Sequence, residues 1–227
     1  MAQTNRVISE LKKVNPDCEY EIKPITTKGD TDTRPLFTID QKGIFEKEID
    51  KAVADKEIDF AVHSLKDVPS QLAENLIIAS IPKREKVNDV FISSDNSSLE
   101  KIKPGSIIGT SSLRRAVQIS RQRSDVTVKP IRGNIETRIN KSSGENYDAI
   151  VLAQAGISRL GVDVNFTPLS VDDFSPSPGQ GAIAIVARID DDKTIEMLQR
   201  IEDPDSRLEI RLNELYLILL ILDVDFL

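Results

Sequence analysis

Short β-rich runs alternate with helical ones along the whole sequence, and that order restricts the chain to α/β architectures. Strands are predicted over 19–25, 58–63, 76–80, 90–93, 106–109, 126–131, 148–153 and 182–187, where branched and aromatic residues occur in runs of strand length. Helices are predicted over 3–14, 44–55, 112–123, 135–142 and 193–201; the first carries Val7, Ile8, Leu11 and Val14 on one face. Mainly parallel sheets are the expectation. Two stretches of polar and Pro-rich punctuation, Pro82-Lys83-Arg84-Glu85 and Phe174-Ser175-Pro176-Ser177-Pro178-Gly179, point to a second domain inserted into a first. The expected division is 1–82 with 181–201 as domain one, 83–176 as the inserted domain, 177–180 as hinge and 202–227 as a remnant of a third domain. Two crossing strands would serve as hinges, with a ligand cleft between the domains.

The inserted segment carries the most informative motif, Gly109-Thr110-Ser111-Ser112-Leu113-Arg114-Arg115. The apolar run before it reads as a strand, its Thr and Ser residues can cap the following helix, and two arginines fall just inside the helix start. A guanidinium fork grips a carboxylate bidentately, so this is a carboxylate site in the making. Between Leu113 and Arg138 seven basic residues (Arg114, Arg115, Arg121, Arg123, Lys129, Arg132, Arg138) face only Asp125 and Glu136, in a chain of net charge −7. A local basic patch on an acidic protein suits a small polyanion. Nucleic acid is the rival, but this segment has no aromatic residue on which a base could stack, and the overall charge opposes backbone binding. For Arg121 and Arg123 a solvated helix face is the competing reading.

One Cys and one His exclude a disulfide framework and a multi-ligand metal centre. Cys18 reads as an incidental thiol and His63 as a structural residue at a strand end. No secretory signal opens the chain and Leu215–Leu222 is too short to span a bilayer, so a cytoplasmic protein without a membrane partner is expected.

Ile58-Asp59-Phe60-Ala61-Val62-His63-Ser64-Leu65-Lys66-Asp67-Val68-Pro69 is a strand running into a polar loop, which places Ser64, Lys66 and Asp67 at the carboxyl end of a sheet, where open α/β sheets bind ligands. Asp67 beside Lys66 reads either as a turn-forming residue before Val-Pro or as an ionised carboxylate able to stabilise developing positive charge. Arg132-Gly133-Asn134, followed by a helix bearing Arg138, repeats the strand, anion loop, helix arrangement. Leu152-Ala153-Gln154-Ala155-Gly156 with Arg159, and Pro178-Gly179-Gln180-Gly181, add glycines that allow close backbone approach. Neither nucleotide-binding glycine fingerprint is present.

Together with Thr27-Lys28-Gly29-Asp30 and Lys42-Gly43-Ile44-Phe45, these segments resemble the porphobilinogen deaminase (hydroxymethylbilane synthase) family, in order, over roughly residues 3–211. The resemblance implies two domains like those of type II periplasmic binding proteins and a small third domain whose cysteine holds a dipyrromethane cofactor. It implies stepwise condensation of four porphobilinogen units with release of ammonia, in heme and other tetrapyrrole biosynthesis. By position, Ser64, Lys66, Thr110, Ser111, Ser112, Arg114 and Arg115 would bind cofactor carboxylates. Lys42, Arg132, Asn134, Arg138, Arg159 and Gln180 would bind substrate, and Asp67 would be the catalytic aspartate. Porphobilinogen and linear oligopyrroles would be the ligands of a monomer.

The sequence departs from the family pattern at both ends. The family's first strand, with its Thr-Arg-x-Ser-x-Leu-Ala segment, would precede Met1, and its Gly-Cys is not found after Arg211. A frameshift just before Leu212 is expected, since Leu212–Leu215 and Asp223–Asp225 in a neighbouring frame permit Thr-Glu-Arg-Ala and Gly-Cys-Gly; an unrelated amphipathic tail is the alternative. On this reading the cofactor cysteine is absent and the chain as written is inactive. A non-catalytic carboxylate-binding module is the competing function, because fold alone does not fix chemistry.

Overall fold

The computed structural model describes residues 1–27, 46–69, 71–142, 144 and 146–224. Within them the chain forms two units: one from residues 1–27, 46–85 and 178–224, the other from 86–177.

In the first unit three strands, β1 (Phe60–Ser64), β2 (Leu76–Ser80) and β8 (Ile183–Arg188), form a sheet in the order β1-β8-β2. β8 is buried along its whole length because both faces are covered. Ile183, Ile185 and Ala187 pack with Val7 and Leu11 of α1 (Ala2–Val14) and Leu198 of α6 (Asp192–Gln199). Ala184 contacts Leu65 and Ile81, while Val186 meets Val53 of α2 (Lys47–Ala54).

The second unit has five strands in the order β5-β4-β6-β3-β7: β3 (Asp89–Ser93), β4 (Ile107–Gly109), β5 (Thr127–Lys129), β6 (Ala149–Ala153) and β7 (Thr167–Pro168). Alternation sorts its side chains onto two faces. Phe91, Ile108, Ala149 and Val151 pack with Ile119 of α3 (Leu113–Gln122), whereas Val90, Ile92, Ile150 and Leu152 pack with Ile131 and with Ile157 of α5 (Gln154–Leu160). The partly buried Ile135 and Ile139 of α4 (Ile135–Lys141) lie against this second cluster.

The expectation of mainly parallel sheets is corrected. β4 runs parallel to β5 and β6, but β3 is antiparallel to both β6 and β7, and β8 is antiparallel to β1 and β2. The cause is the insertion itself: β8 follows the return from the second unit, so it runs against the strands that precede the departure. Glu19–Ile25, which alternates as a strand would, joins no ladder among the described residues; Tyr20 packs on the first core and Lys23 pairs with Glu57 at 2.9 Å. Helices α5 and α7 (Pro204–Val224) are additional to those expected. Residues 202–224 are not a separate body but part of the first unit. Ile210 joins its core, Ser206 Oγ accepts from Arg84 N at 2.8 Å, and Arg84 pairs with Glu209 at 2.9 Å.

Gly179 has a left-handed φ of +70°, and a Cβ there would lie 3.1 Å from the backbone nitrogen of Lys66 and 3.3 Å from the carbonyl carbon of Leu65. Gly179→Ala therefore combines backbone strain with pressure on the turn that carries Asp67. It should lower unfolding free energy by about 1–2 kcal/mol, read as a shift in the urea midpoint; an unchanged midpoint contradicts this account of the turn.

Candidate carboxylate site and the Asp67 turn

In the second unit, β4 ends at Gly109 and the chain passes through three hydroxyl residues into α3. Each hydroxyl has a local task. Thr110 Oγ1 accepts from Ser112 N at 3.2 Å, and Ser112 is the helix N-cap, its Oγ accepting from Arg115 N at 3.5 Å. Ser111 Oγ donates to Ile131 O at 2.5 Å and accepts from Ile131 N at 3.1 Å. This last pair of bonds ties the first basic loop to the second, which holds Arg132, Gly133 and Asn134. Asn134 is the N-cap of α4, its Oδ1 accepting from Thr137 N at 2.8 Å.

Arg114 and Arg115 both converge on Asp89, the first residue of β3, which is 0 % exposed. Asp89 Oδ1 accepts from Nε and Nη2 of Arg115 at 3.0 and 2.7 Å, and Oδ2 accepts from Nη2 of Arg114 at 2.6 Å. Arg115, 7 % exposed, also donates from Nη1 to Val151 O at 3.2 Å. Arg114 keeps 25 % of its side chain exposed, donates to the carbonyl of Ser175 and lies 6.0 Å from the Phe174 ring centroid. Burial works against ionisation of Asp89, but the Arg115 and Arg114 guanidiniums outweigh it and hold the carboxyl below its ordinary value. Arg138 donates from Nε to Gly133 O at 2.7 Å. Its guanidinium is pushed below its ordinary value by burial and then by the like charges of Arg115 and Arg132. Arg114, Arg115, Arg132 and Arg138 thus form one cluster, while Arg159 is half-buried on α5.

Other basic residues of the segment are structural. Arg123 donates to Leu99 O and Ile102 O at 2.6 and 2.7 Å and pairs with Asp125 at 2.7 Å; Arg121 is exposed.

In the first unit β1 delivers Ser64 to a 3-10 turn, Leu65–Asp67, and leaves Lys66 and Asp67 exposed at the carboxyl end of the strand. Leu65 N donates to Ala182 O at 3.1 Å, and Ser64 Oγ accepts from Gln3 Nε2 at 2.7 Å. His63 is buried in the strand with Nε2 2.9 Å from Asp50 Oδ1, consistent with a structural role. Gln180 is 1 % exposed, and its backbone carbonyl accepts from Arg84 Nε at 2.9 Å. Lys42 lies outside the described residues, as does the Lys42-Gly43-Ile44-Phe45 motif. Cys18 is exposed, and no group of metal-ligating side chains occurs among the described residues.

The residue that sequence reasoning missed is Asp89. A signal was present, since an aspartate opening the apolar run Val90-Phe91-Ile92 must find a cation if it is buried.

Two α/β units, the second inserted into the chain of the first, have the fold of type II periplasmic binding proteins. A periplasmic substrate-binding protein of an ABC transporter from Coxiella burnetii superposes with TM-score 0.53 at 11% identity, covering 93% of each chain. Full-length BenM gives 0.51 at 13% identity over 94% of this chain and 63% of its own. At such identities only the fold is shared. Sequence relationship is far closer elsewhere: the family model described as "Porphobilinogen deaminase, dipyromethane cofactor binding domain" matches residues 1–196. A "Probable porphobilinogen deaminase" of Nitrosopumilus maritimus (strain SCM1) is 82% identical over 210 residues, 92% of this chain and 68% of that protein. The porphobilinogen deaminase of Listeria monocytogenes serovar 1/2a is 45% identical over 223 residues, 96% of this chain and 72% of its own. The chain belongs to the porphobilinogen deaminase family, a family of transferases. No described helix is long and apolar enough to cross a membrane.

The lowered value of Asp89 has a stability consequence with a definite sign. A carboxyl depressed on folding contributes stability that is fully present above its unfolded value, about 3.9, and is lost as pH falls below it. Acid titration followed by circular dichroism should show the second unit losing stability below roughly pH 4, and Asp89→Asn should remove that part of the acid limb. An identical acid limb in the variant would contradict the assignment.

Proposed function

We propose that this chain carries the ligand-handling units of a hydroxymethylbilane synthase, an enzyme that joins four porphobilinogen units head to tail with loss of one ammonia at each addition, and that turnover also requires the family's cofactor cysteine. The observation that carries the proposal is the arginine cluster: Arg138 is kept charged beside Arg115 and Arg132 in a half-buried position that penalises that charge. A fold tolerates such a cost where an anion relieves it. Every pyrrole of this pathway bears an acetate and a propionate, so the ligand gains carboxylates as the chain grows, and guanidinium forks match them bidentately.

The family model's description names a dipyrromethane group, which would supply the pyrrole terminus to which the first unit is joined. Its side chains are carboxylates, and the hydroxyl and guanidinium donors at Thr110, Ser111, Ser112, Arg114 and Arg115, with Ser64 and Lys66, fit them chemically. Arg132, Arg138 and Arg159 take the carboxylates of incoming substrate. When the aminomethyl C–N bond of porphobilinogen breaks, the electron pair leaves with ammonia and positive charge spreads over the pyrrole. Asp67, exposed on its turn and followed by Val68-Pro69, supplies a negative charge for that cation. The neighbouring Lys66 favours its ionised form.

Two measurements test this reading. Arg138→Gln should weaken porphobilinogen binding by roughly tenfold, about 1.4 kcal/mol, while the melting temperature of the unliganded protein stays level or rises, because a penalised charge has been removed. Weaker binding accompanied by a lower melting temperature would make Arg138 a structural residue. In a protein carrying the family's first strand and its cofactor cysteine in addition to this chain, Asp67→Asn should leave porphobilinogen binding within about twofold yet slow ammonia release by about 100-fold, with Asp67→Glu intermediate. Normal ammonia release in Asp67→Asn would take Asp67 out of the chemistry, whereas porphobilinogen binding without any ammonia release by the unsubstituted protein would make a carboxylate-binding module the better description.

A further inference from the structure

We infer that Asp89 is the positioning residue of the arginine site, fixing the guanidiniums of Arg114 and Arg115 in the single arrangement that selects a pyrrole's paired carboxylates over simple anions. The inference rests on the functional reading above and concerns a residue that touches no ligand.

Consecutive residues on a helix project about 100° apart, so two adjacent arginines at the start of α3 have no local reason to converge, and their like charges oppose it. They converge here because one carboxylate accepts from both: Oδ1 receives Nε and Nη2 of Arg115, and Oδ2 receives Nη2 of Arg114. Both oxygens of Asp89 are used and the side chain is fully enclosed. Backbone carbonyls add further anchors, Val151 for Arg115 and Ser175 for Arg114, and a carbonyl accepts from a guanidinium without cancelling its charge. Asp89 therefore does two separable things: it neutralises one of the two charges and it sets the angle between the forks. The first limits attraction for any small anion. The second creates a preference for carboxylates at one spacing, since bidentate recognition is lost when a fork rotates.

The position of Asp89 strengthens the case. It opens β3, whose ladder with β6 runs through Asp89 and Ala153, so its backbone is fixed by the sheet. Its carbonyl also accepts from Leu169 N at 2.9 Å. The arginines, by contrast, sit on long side chains at a helix end. The rigid partner sets the geometry and the flexible partners adopt it.

Calorimetry on the full chain tests the inference with two separate probes: porphobilinogen, whose acetate and propionate are those of the pyrroles assigned to Arg114 and Arg115, and inorganic sulfate. Asp89→Asn should weaken porphobilinogen binding by at least roughly tenfold while sulfate binding is retained or tightened, because one compensating charge is gone. In an Arg114→Leu background the same change should cost less than it does alone, since only the Arg115 fork is left for Asp89 to position. If circular dichroism shows that Asp89→Asn does not fold, Asp89→Glu carries the test: the charge is kept and the carboxylate is displaced by one methylene, so porphobilinogen affinity should fall and sulfate affinity should hold. A folded Asp89→Asn or Asp89→Glu protein with wild-type affinity for porphobilinogen overturns the inference, as do losses that simply add in the double variant. A wild-type chain that binds no porphobilinogen overturns the functional reading, and this inference with it.

Discussion

Charge compensation around Asp89 is the constraint on which the second unit depends. A buried carboxylate is expensive unless cations answer it, and a buried guanidinium is equally so. Asp89 and Arg115 settle each other's cost, with Arg114 completing the arrangement from a partly exposed position. Arg138 is left with desolvation and the like charges of Arg115 and Arg132 against it, relieved only in part by the Gly133 carbonyl. Burial and the like charges of Arg115 and Arg132 thus work against the charge of Arg138, a cost that an anion beside it would relieve.

The sheet places these charges together by ordinary packing. β3, β4 and β6 are apolar on both faces, so helices must cover them, and the chain leaves β4 into α3 through a loop of three hydroxyl residues. Ser111 then holds that loop against Ile131 at the end of the neighbouring β5 segment, which brings Arg132 and Arg138 to the loop that bears Arg114 and Arg115. The first unit handles its own motif in the same manner. β1 is pinned beside the wholly buried β8, its end is tied to Ala182, and the turn that follows exposes Lys66 and Asp67.

Much of this is legible in the sequence because it is local. Strand and helix positions follow from periodicity, and Ser112 is recognisable as a helix cap from residue type and place. The punctuation near residues 82–85 and 174–179 is the local signal for an inserted domain, and the two units divide at 85/86 and 177/178. What the sequence does not display is pairing between distant residues. Asp89 lies 25 and 26 positions from the arginines that it binds, and no local pattern joins them. Sheet direction is hidden for the same reason: β8 pairs with β1 and β2 across more than a hundred residues, and only the return of the chain from the inserted unit makes those pairs antiparallel. The burial of Gln180 likewise depends on how its segment packs against Arg84 and the strand ends, not on its glycine-rich setting.

The central claim is that this arginine cluster receives carboxylated pyrroles, and arginine side-chain NMR tests it most directly. In a porphobilinogen titration followed by Nε–Hε correlation spectra, the signals of Arg114 and Arg138 should move with saturable dependence on ligand. Arg123, locked onto Asp125 and two carbonyls away from the cluster, should stay in place. Signals of Arg114 and Arg138 that remain fixed, or that move no more than Arg123, would contradict the account.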